Sequence, residues 1–285
     1  MIEGIYLPII TPFLNEEVDF KSYELLINHY IVKGISGLIP LGTTGEVPTI
    51  NDYEFEKIID KTIEYTNNRV PIYVGVGGNN TKKVIEKLNI VEKYNIEGIL
   101  SVSPYYNRPS QEGIYSHFSA ISKSTDMDII LYNIPYRTGR AIENDTIRKL
   151  AEFKNIVALK DASGDIKQTM ELLLNPPKDF SVLTGEDMLF FTTLTHGGQG
   201  GILASAHIQT ESFIKIYNDI KANDHVSAFN TWKKISQYIP LLFKEPNPAP
   251  LKYYLNKVGL IDSPEVRLPL TEISNELAAQ IDKAF

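Results

Sequence analysis

The sequence predicts an α/β fold, a (β/α)8 TIM barrel with a C-terminal helical extension. Three observations carry this: eight short apolar, β-branched runs, a stretch of helical period after each, and runs that are nearly continuous rather than alternating. Continuous apolar strands are buried on both faces, which is the habit of parallel sheets covered by helices. Parallel neighbours also need right-handed crossovers, and the intervening helical segments supply them. A doubly wound open sheet competes, but Thr11-Pro12-Phe13 follows the first run where its Gly-rich fingerprint would stand.

The runs are residues 5–11, 37–41, 71–75, 98–102, 128–132, 156–160, 180–184 and 201–204. The first helical segment, 19–33, sets Phe20, Tyr23, Leu26, Ile27, Tyr30 and Ile31 on one face. The second, 51–65, opens on Asn51 with Glu54 three residues later, the pattern of a capped N-terminus. Segments 81–94, 111–123, 144–153, 165–174, 187–195 and 207–221 complete the alternation. Beyond the eighth unit, 224–243 reads as helix, Glu245-Pro246-Asn247-Pro248-Ala249-Pro250 breaks it, and 251–258 and 274–284 read as further helices. The expected organisation is a catalytic barrel over 1–223 and a helical extension over 224–285, too short to be a domain of its own.

Composition removes several function classes. With 285 residues the chain can bury a sizeable core without a metal or disulfide staple. A net charge of −7 argues against a nucleic-acid partner, which calls for a basic patch. The absence of cysteine excludes a disulfide framework, a zinc ribbon and a cysteine nucleophile. The N-terminal residues Met1–Pro8 have no basic n-region, and no apolar stretch is long enough to span a bilayer, so a cytoplasmic protein without membrane contact is expected.

Barrel chemistry gathers at the C-terminal ends of strands. The second run leads into Gly42-Thr43-Thr44-Gly45-Glu46, which is either an ordinary Gly/Thr turn or a cradle of hydroxyls and N–H groups for a small carboxylate. The fourth leads into Ser103-Pro104-Tyr105-Tyr106-Asn107 and the fifth into Tyr132–Gly139, where Tyr106 and Tyr132 could equally be packing residues. Lys160 ends the apolar run 156–159 and can snorkel outward or point inward. Pointing inward, it would be desolvated, its pKa would fall, and its amine could form a Schiff base with a carbonyl substrate. A nearby tyrosine could then carry the protons. His196–Gly201 looks like a phosphate loop but precedes the eighth run, on the wrong side for chemistry. The histidines at 29, 117, 196, 207 and 225 have no metal-ligand spacing, and His117 and Trp232 read as packing residues. Glu16-Glu17 and Glu186-Asp187 read as loop and helix-start charges.

Five runs, in order along nearly the whole chain, resemble the dihydrodipicolinate synthase branch of the class I pyruvate-dependent lyases, a family that includes N-acetylneuraminate lyase. They are GTTGE at 42–46, SPYYNRPSQEG at 103–113, YNIPYRTG at 132–139, NIVALKDAS at 155–163 and EPNPAPLK at 245–252. The arginine of the third run marks the synthase branch. The resemblance implies that Lys160 forms an imine with pyruvate and that the derived enamine condenses with L-aspartate 4-semialdehyde to give 4-hydroxy-tetrahydrodipicolinate, in diaminopimelate and lysine biosynthesis. It implies Tyr132 as general acid/base, with Thr44 and Tyr106 extending a hydroxyl relay and Tyr106 reaching in from a neighbouring subunit. It implies that Thr43 and Thr44 bind the pyruvate carboxylate, that Arg137 grips the semialdehyde carboxylate, and that Gly185 and Ile202 line the site. No metal or organic cofactor is implied, and the assembly implied is a homotetramer, a dimer of dimers.

The resemblance breaks at one place. Lysine-inhibited members use histidines in the helix after GTTGE and a glutamate after the third strand, whereas this chain has Asp52, Phe55 and Lys83 there, with Asn79 and Tyr105 retained. Weak or absent inhibition by lysine is therefore expected, because Lys83 would repel a lysine ammonium. The competing functions are a sibling pyruvate-dependent aldolase acting on a sugar acid, for which Arg137 has no evident use, and a non-catalytic small-molecule sensor on the same barrel, which has no evident use for a proton relay.

Overall fold

The computed structural model describes residues 1–285. In chain order, β1 (Gly4–Leu7) leads to a hairpin of β2 (Phe13–Leu14) and β3 (Glu17–Val18), then α1 (Phe20–Lys33), β4 (Gly37–Leu38) and α2 (Asp52–Thr66). The alternation continues through β5 (Tyr73–Gly75), α3 (Thr81–Val91), β6 (Gly98–Val102), α4 (Gln111–Ser122) and β7 (Asp128–Asn133). Next come α5 (Pro135–Thr138), α6 (Asn144–Leu150), β8 (Ile156–Asp161), α7 (Ile166–Leu174), β9 (Ser181–Thr184), α8 (Phe190–Thr195) and β10 (Gly200–Ile202). The helices α9 (Thr210–Lys221), α10 (His225–Ile235), α11 (Ala249–Lys257) and α12 (Asn275–Ala284) close the chain. Apart from the β2–β3 hairpin, the strands form one eight-stranded sheet in the order β4-β1-β10-β9-β8-β7-β6-β5. Parallel pairing and strand–helix alternation make this the (β/α)8 fold class expected from the sequence.

The chain packs as two compact units. One comprises Met1–Gly4 with Ile72–Ile202, and its core is built on Ile99, Ile129, Leu131, Leu159 and Val182, all fully or almost fully buried. The other comprises Ile5–Pro71 with Leu203–Phe285, built on Leu7, Leu26, Ile27, Leu38, Phe213 and Ile216. Each such side chain contributes roughly 1.5–3 kcal/mol by leaving water. The helices after residue 224 thus belong to the same unit as β1, α1, β4 and α2.

Local signals set the ends of elements. Asp19 caps α1 by accepting from the Lys21 and Ser22 N–H groups, and Gly34 closes the helix in the left-handed conformation. Asn51 and Glu54 form the reciprocal capping box expected at α2. Several expected elements are shorter than their sequence patterns. The strand in 5–11 stops at Leu7, because Pro8 has no N–H for the ladder. The helix expected over 224–243 ends at Ile235, and Pro240 leaves only a 3-10 segment, Ile239–Phe243. That expected over 187–195 opens as a 3-10 turn, Asp187–Leu189, before α8. No helix is long and apolar enough to cross a membrane.

Candidate active site

In the first unit, β7 and β8 pair in parallel with Tyr132 opposite Lys160. Residues in register on parallel neighbours project to the same face, so the two side chains meet. The Lys160 Nζ lies 4.3 Å from the centre of the Tyr132 ring. Both residues are buried, at 6% and 5% exposure, so the inward orientation is the one adopted. Burial pushes the Lys160 ammonium down to about 8; the Arg137 guanidinium acts in the same direction and Asp187 against it.

Gly185 makes room for this lysine. A Cβ there would stand 2.5 Å from Lys160 Cε and 2.8 Å from Cγ, too close for any L side chain unless the lysine moved. The Gly185 N–H also donates to the Asp161 carbonyl at 2.6 Å, tying the end of β9 to the end of β8. Ile202, at the end of β10, is buried. Arg137 sits in the single turn α5, exposed, with its Nε donating to the Tyr136 hydroxyl at 3.0 Å and its guanidinium over that ring. Tyr106 is 90% exposed on this chain and holds a left-handed backbone, φ 71°.

In the second unit, the 42–46 turn is closed by its own hydrogen bonds. Thr44 is buried and accepts a hydrogen bond from Asn247 Nδ2 at 2.9 Å, while Thr43 is half-buried. The Glu46 and Val47 N–H groups are taken within the turn, by the Thr43 and Gly42 carbonyls, so those two donors are not free for an anion. A Cβ on Gly45 would lie 3.0 Å from the Leu41 nitrogen and 3.2 Å from the Ile9 carbonyl, which suits glycine. Glu46 holds φ 55° and is completely buried. Its carboxylate pairs with the equally buried Lys252 Nζ at 2.5 Å and accepts from the Arg267 N–H. Lys252 also donates to the Glu265 carbonyl and stands 4.0 Å from the centre of the Phe13 ring. Burial brings Lys252 down to about 8, opposed by Glu46.

The sequence reading anticipated Lys160 and Tyr132, which the structure brings together, but assigned no role to Asp187, Asn247, Glu46 or Lys252. Asp187 does open a helical turn, as expected, yet it is 2% exposed and acts electrostatically on Lys160. His117, expected to pack, is buried and edge-on to Phe118, with Nδ1 bonded to the Thr81 hydroxyl and burial lowering the ring to about 4.

A family model, the dihydrodipicolinate synthetase family, matches residues 1–285. The chain belongs to this family. It is 58% identical over 282 residues to 4-hydroxy-tetrahydrodipicolinate synthase 2 of Clostridium acetobutylicum, covering 99% of each chain. The dihydrodipicolinate synthase of Thermotoga maritima superposes with a TM-score of 0.97 at 35% identity, covering 100% of this chain and 97% of that one. The chloride-inhibited dihydrodipicolinate synthase of Acinetobacter baumannii, solved with pyruvate, gives 0.96 at 35% identity, covering 100% and 98%. A buried lysine whose amine is depressed toward neutrality suits Schiff-base chemistry.

Proposed function

We propose that this protein is a 4-hydroxy-tetrahydrodipicolinate synthase that condenses pyruvate with L-aspartate 4-semialdehyde. The carrying observation is the buried Lys160 amine over the Tyr132 ring, at about 8 instead of its ordinary 10.5. Family membership and the pyruvate complex of the Acinetobacter relative support the choice of substrate class.

The neutral amine of Lys160 adds to the pyruvate ketone and water leaves, forming the imine. Loss of a methyl proton gives the enamine, whose carbon attacks the semialdehyde. The substrate's amine then adds to the imine carbon, closing the ring and expelling Lys160 as a free amine. Tyr132 is the general acid/base for these transfers, and Thr44 and Tyr106 continue the relay. Thr43 and Thr44 receive the pyruvate carboxylate, through their hydroxyls and the N–H groups of the turn other than those of Glu46 and Val47. Arg137 receives the semialdehyde carboxylate with paired donors, and its exposure suits a group that meets an incoming substrate. Gly185 and Ile202 shape the walls.

The working form is a cytoplasmic homotetramer, a dimer of dimers, in which the exposed Tyr106 of each chain reaches into the site of a neighbouring subunit. Each chain acts as a barrel over 1–223 with a helical extension over 224–285. A coupled turnover assay that compares aspartate 4-semialdehyde with N-acetylmannosamine tests the substrate. Turnover of the semialdehyde alone is expected, and preference for the sugar would overturn the reading.

A further inference from the structure

The EPNPAPLK run at 245–252 meets the GTTGE turn at two points. Asn247 Nδ2 donates to Thr44 Oγ1 at 2.9 Å, and Lys252 Nζ pairs with Glu46 at 2.5 Å. One eight-residue stretch therefore grips both halves of a five-residue turn some two hundred positions earlier. The two grips differ in kind. The Lys252–Glu46 pair is wholly buried and pins a backbone that is left-handed at Glu46, φ 55°, a conformation a residue with a Cβ adopts only when its surroundings enforce it. Asn247 instead touches a hydroxyl.

We propose that Asn247 is a positioning residue for the condensation, setting the direction in which Thr44 passes its proton. The proposal rests on the reading of Thr44 as a relay hydroxyl. A threonine hydroxyl has one proton and two acceptor sites. With the Asn247 N–H occupying an acceptor site, the Thr44 proton cannot be directed at Asn247 and is left for a partner elsewhere. The amide orientation is the favourable one. Asn247 Oδ1 is buried without a partner, and a flipped amide would strand two N–H donors in place of one carbonyl, which is worse. Pro246 and Pro248 flank the residue, and their fixed φ angles restrict the backbone that presents it.

The test is steady-state kinetics on Asn247→Ala, Asn247→Asp and Thr44→Val across pH. Asn247→Ala should lower kcat by about tenfold or more while KM for pyruvate stays within about threefold. Asn247→Asp carries a signature that a purely structural role would not give. Its carboxylate accepts but cannot donate, whereas the protonated acid can donate to Thr44. The ratio of its kcat to that of the wild type should therefore rise about fivefold or more between pH 8 and pH 5.5. Asn247→Ala with kcat within about twofold of wild type overturns the proposal. So does a pH-independent loss in Asn247→Asp, the variant that decides if Asn247→Ala does not fold. An undiminished Thr44→Val removes the relay reading itself, a distinct failure from loss at Thr44 with none at Asn247.

Discussion

A lysine amine attacks a ketone only when it is neutral. At its ordinary pKa, roughly one Lys160 in three thousand would be ready at pH 7. Burial down to about 8 makes it roughly one in ten. The rate of imine formation with pyruvate should accordingly climb with pH, be half-maximal near 8 and level off at higher pH, measured by rapid mixing followed by borohydride quench. Arg137 lowers this pKa and Asp187 raises it, so Arg137→Ala should move the rising limb to higher pH and Asp187→Asn to lower pH. Shifts of the opposite sign would contradict the assignment. Arg137→Ala should also weaken semialdehyde use far more than imine formation, and equal losses would argue against its role at the second carboxylate.

The same burial has a stability consequence. The folded pKa of Lys160 lies below the unfolded value of 10.5, so between about 8 and 10.5 the unfolded chain binds more protons. The destabilisation from this group is full below about 8 and fades as pH rises through that window. Lys160→Met should therefore be inactive yet more stable at pH 7, by on the order of 2–3 kcal/mol in urea unfolding. A variant less stable than wild type would refute this.

At the scale of elements, the 42–46 turn and the 245–252 run behave as one part. Lys252→Met leaves the Glu46 carboxylate buried without its cation and should cost about 3–5 kcal/mol, while Glu46→Gln with Lys252→Met should recover much of that loss. Thermal unfolding of the single and double variants measures the difference. This part also marks the limit of the sequence reading. The strand-end position of Lys160 and the capping box at Asn51 and Glu54 follow from local pattern and were legible. The Glu46–Lys252 and Asn247–Thr44 contacts join residues more than two hundred positions apart, and no periodicity encodes such a partner. Asp187 stands at a helix start as its sequence pattern predicts, but its burial comes from tertiary packing that the local pattern does not encode.

At the scale of the molecule, on the proposed function an acidic chain of net charge −7 must attract two carboxylate-bearing substrates locally, through Lys160 and Arg137 and the hydroxyls of Thr43 and Thr44. The same scale governs regulation. Phe55 is buried at 1% exposure, Asp52 is an acid and Lys83 is an exposed cation, and we propose that lysine inhibits weakly or not at all because Lys83 would repel its ammonium. Turnover at millimolar lysine should match turnover without it, and clear inhibition would contradict this reading. In the proposed tetramer, subunit dissociation, followed by sedimentation, should lower activity as each site loses its neighbour's Tyr106.

Lys160 is the proposed nucleophile, and Lys252 supplies a stringent control because burial lowers it to about 8 as well. Borohydride reduction in the presence of pyruvate, followed by peptide mass spectrometry, separates the two. The prediction is one reduced pyruvate adduct per chain, on the peptide carrying Lys160. An adduct on Lys252, or none at all, would contradict the mechanism.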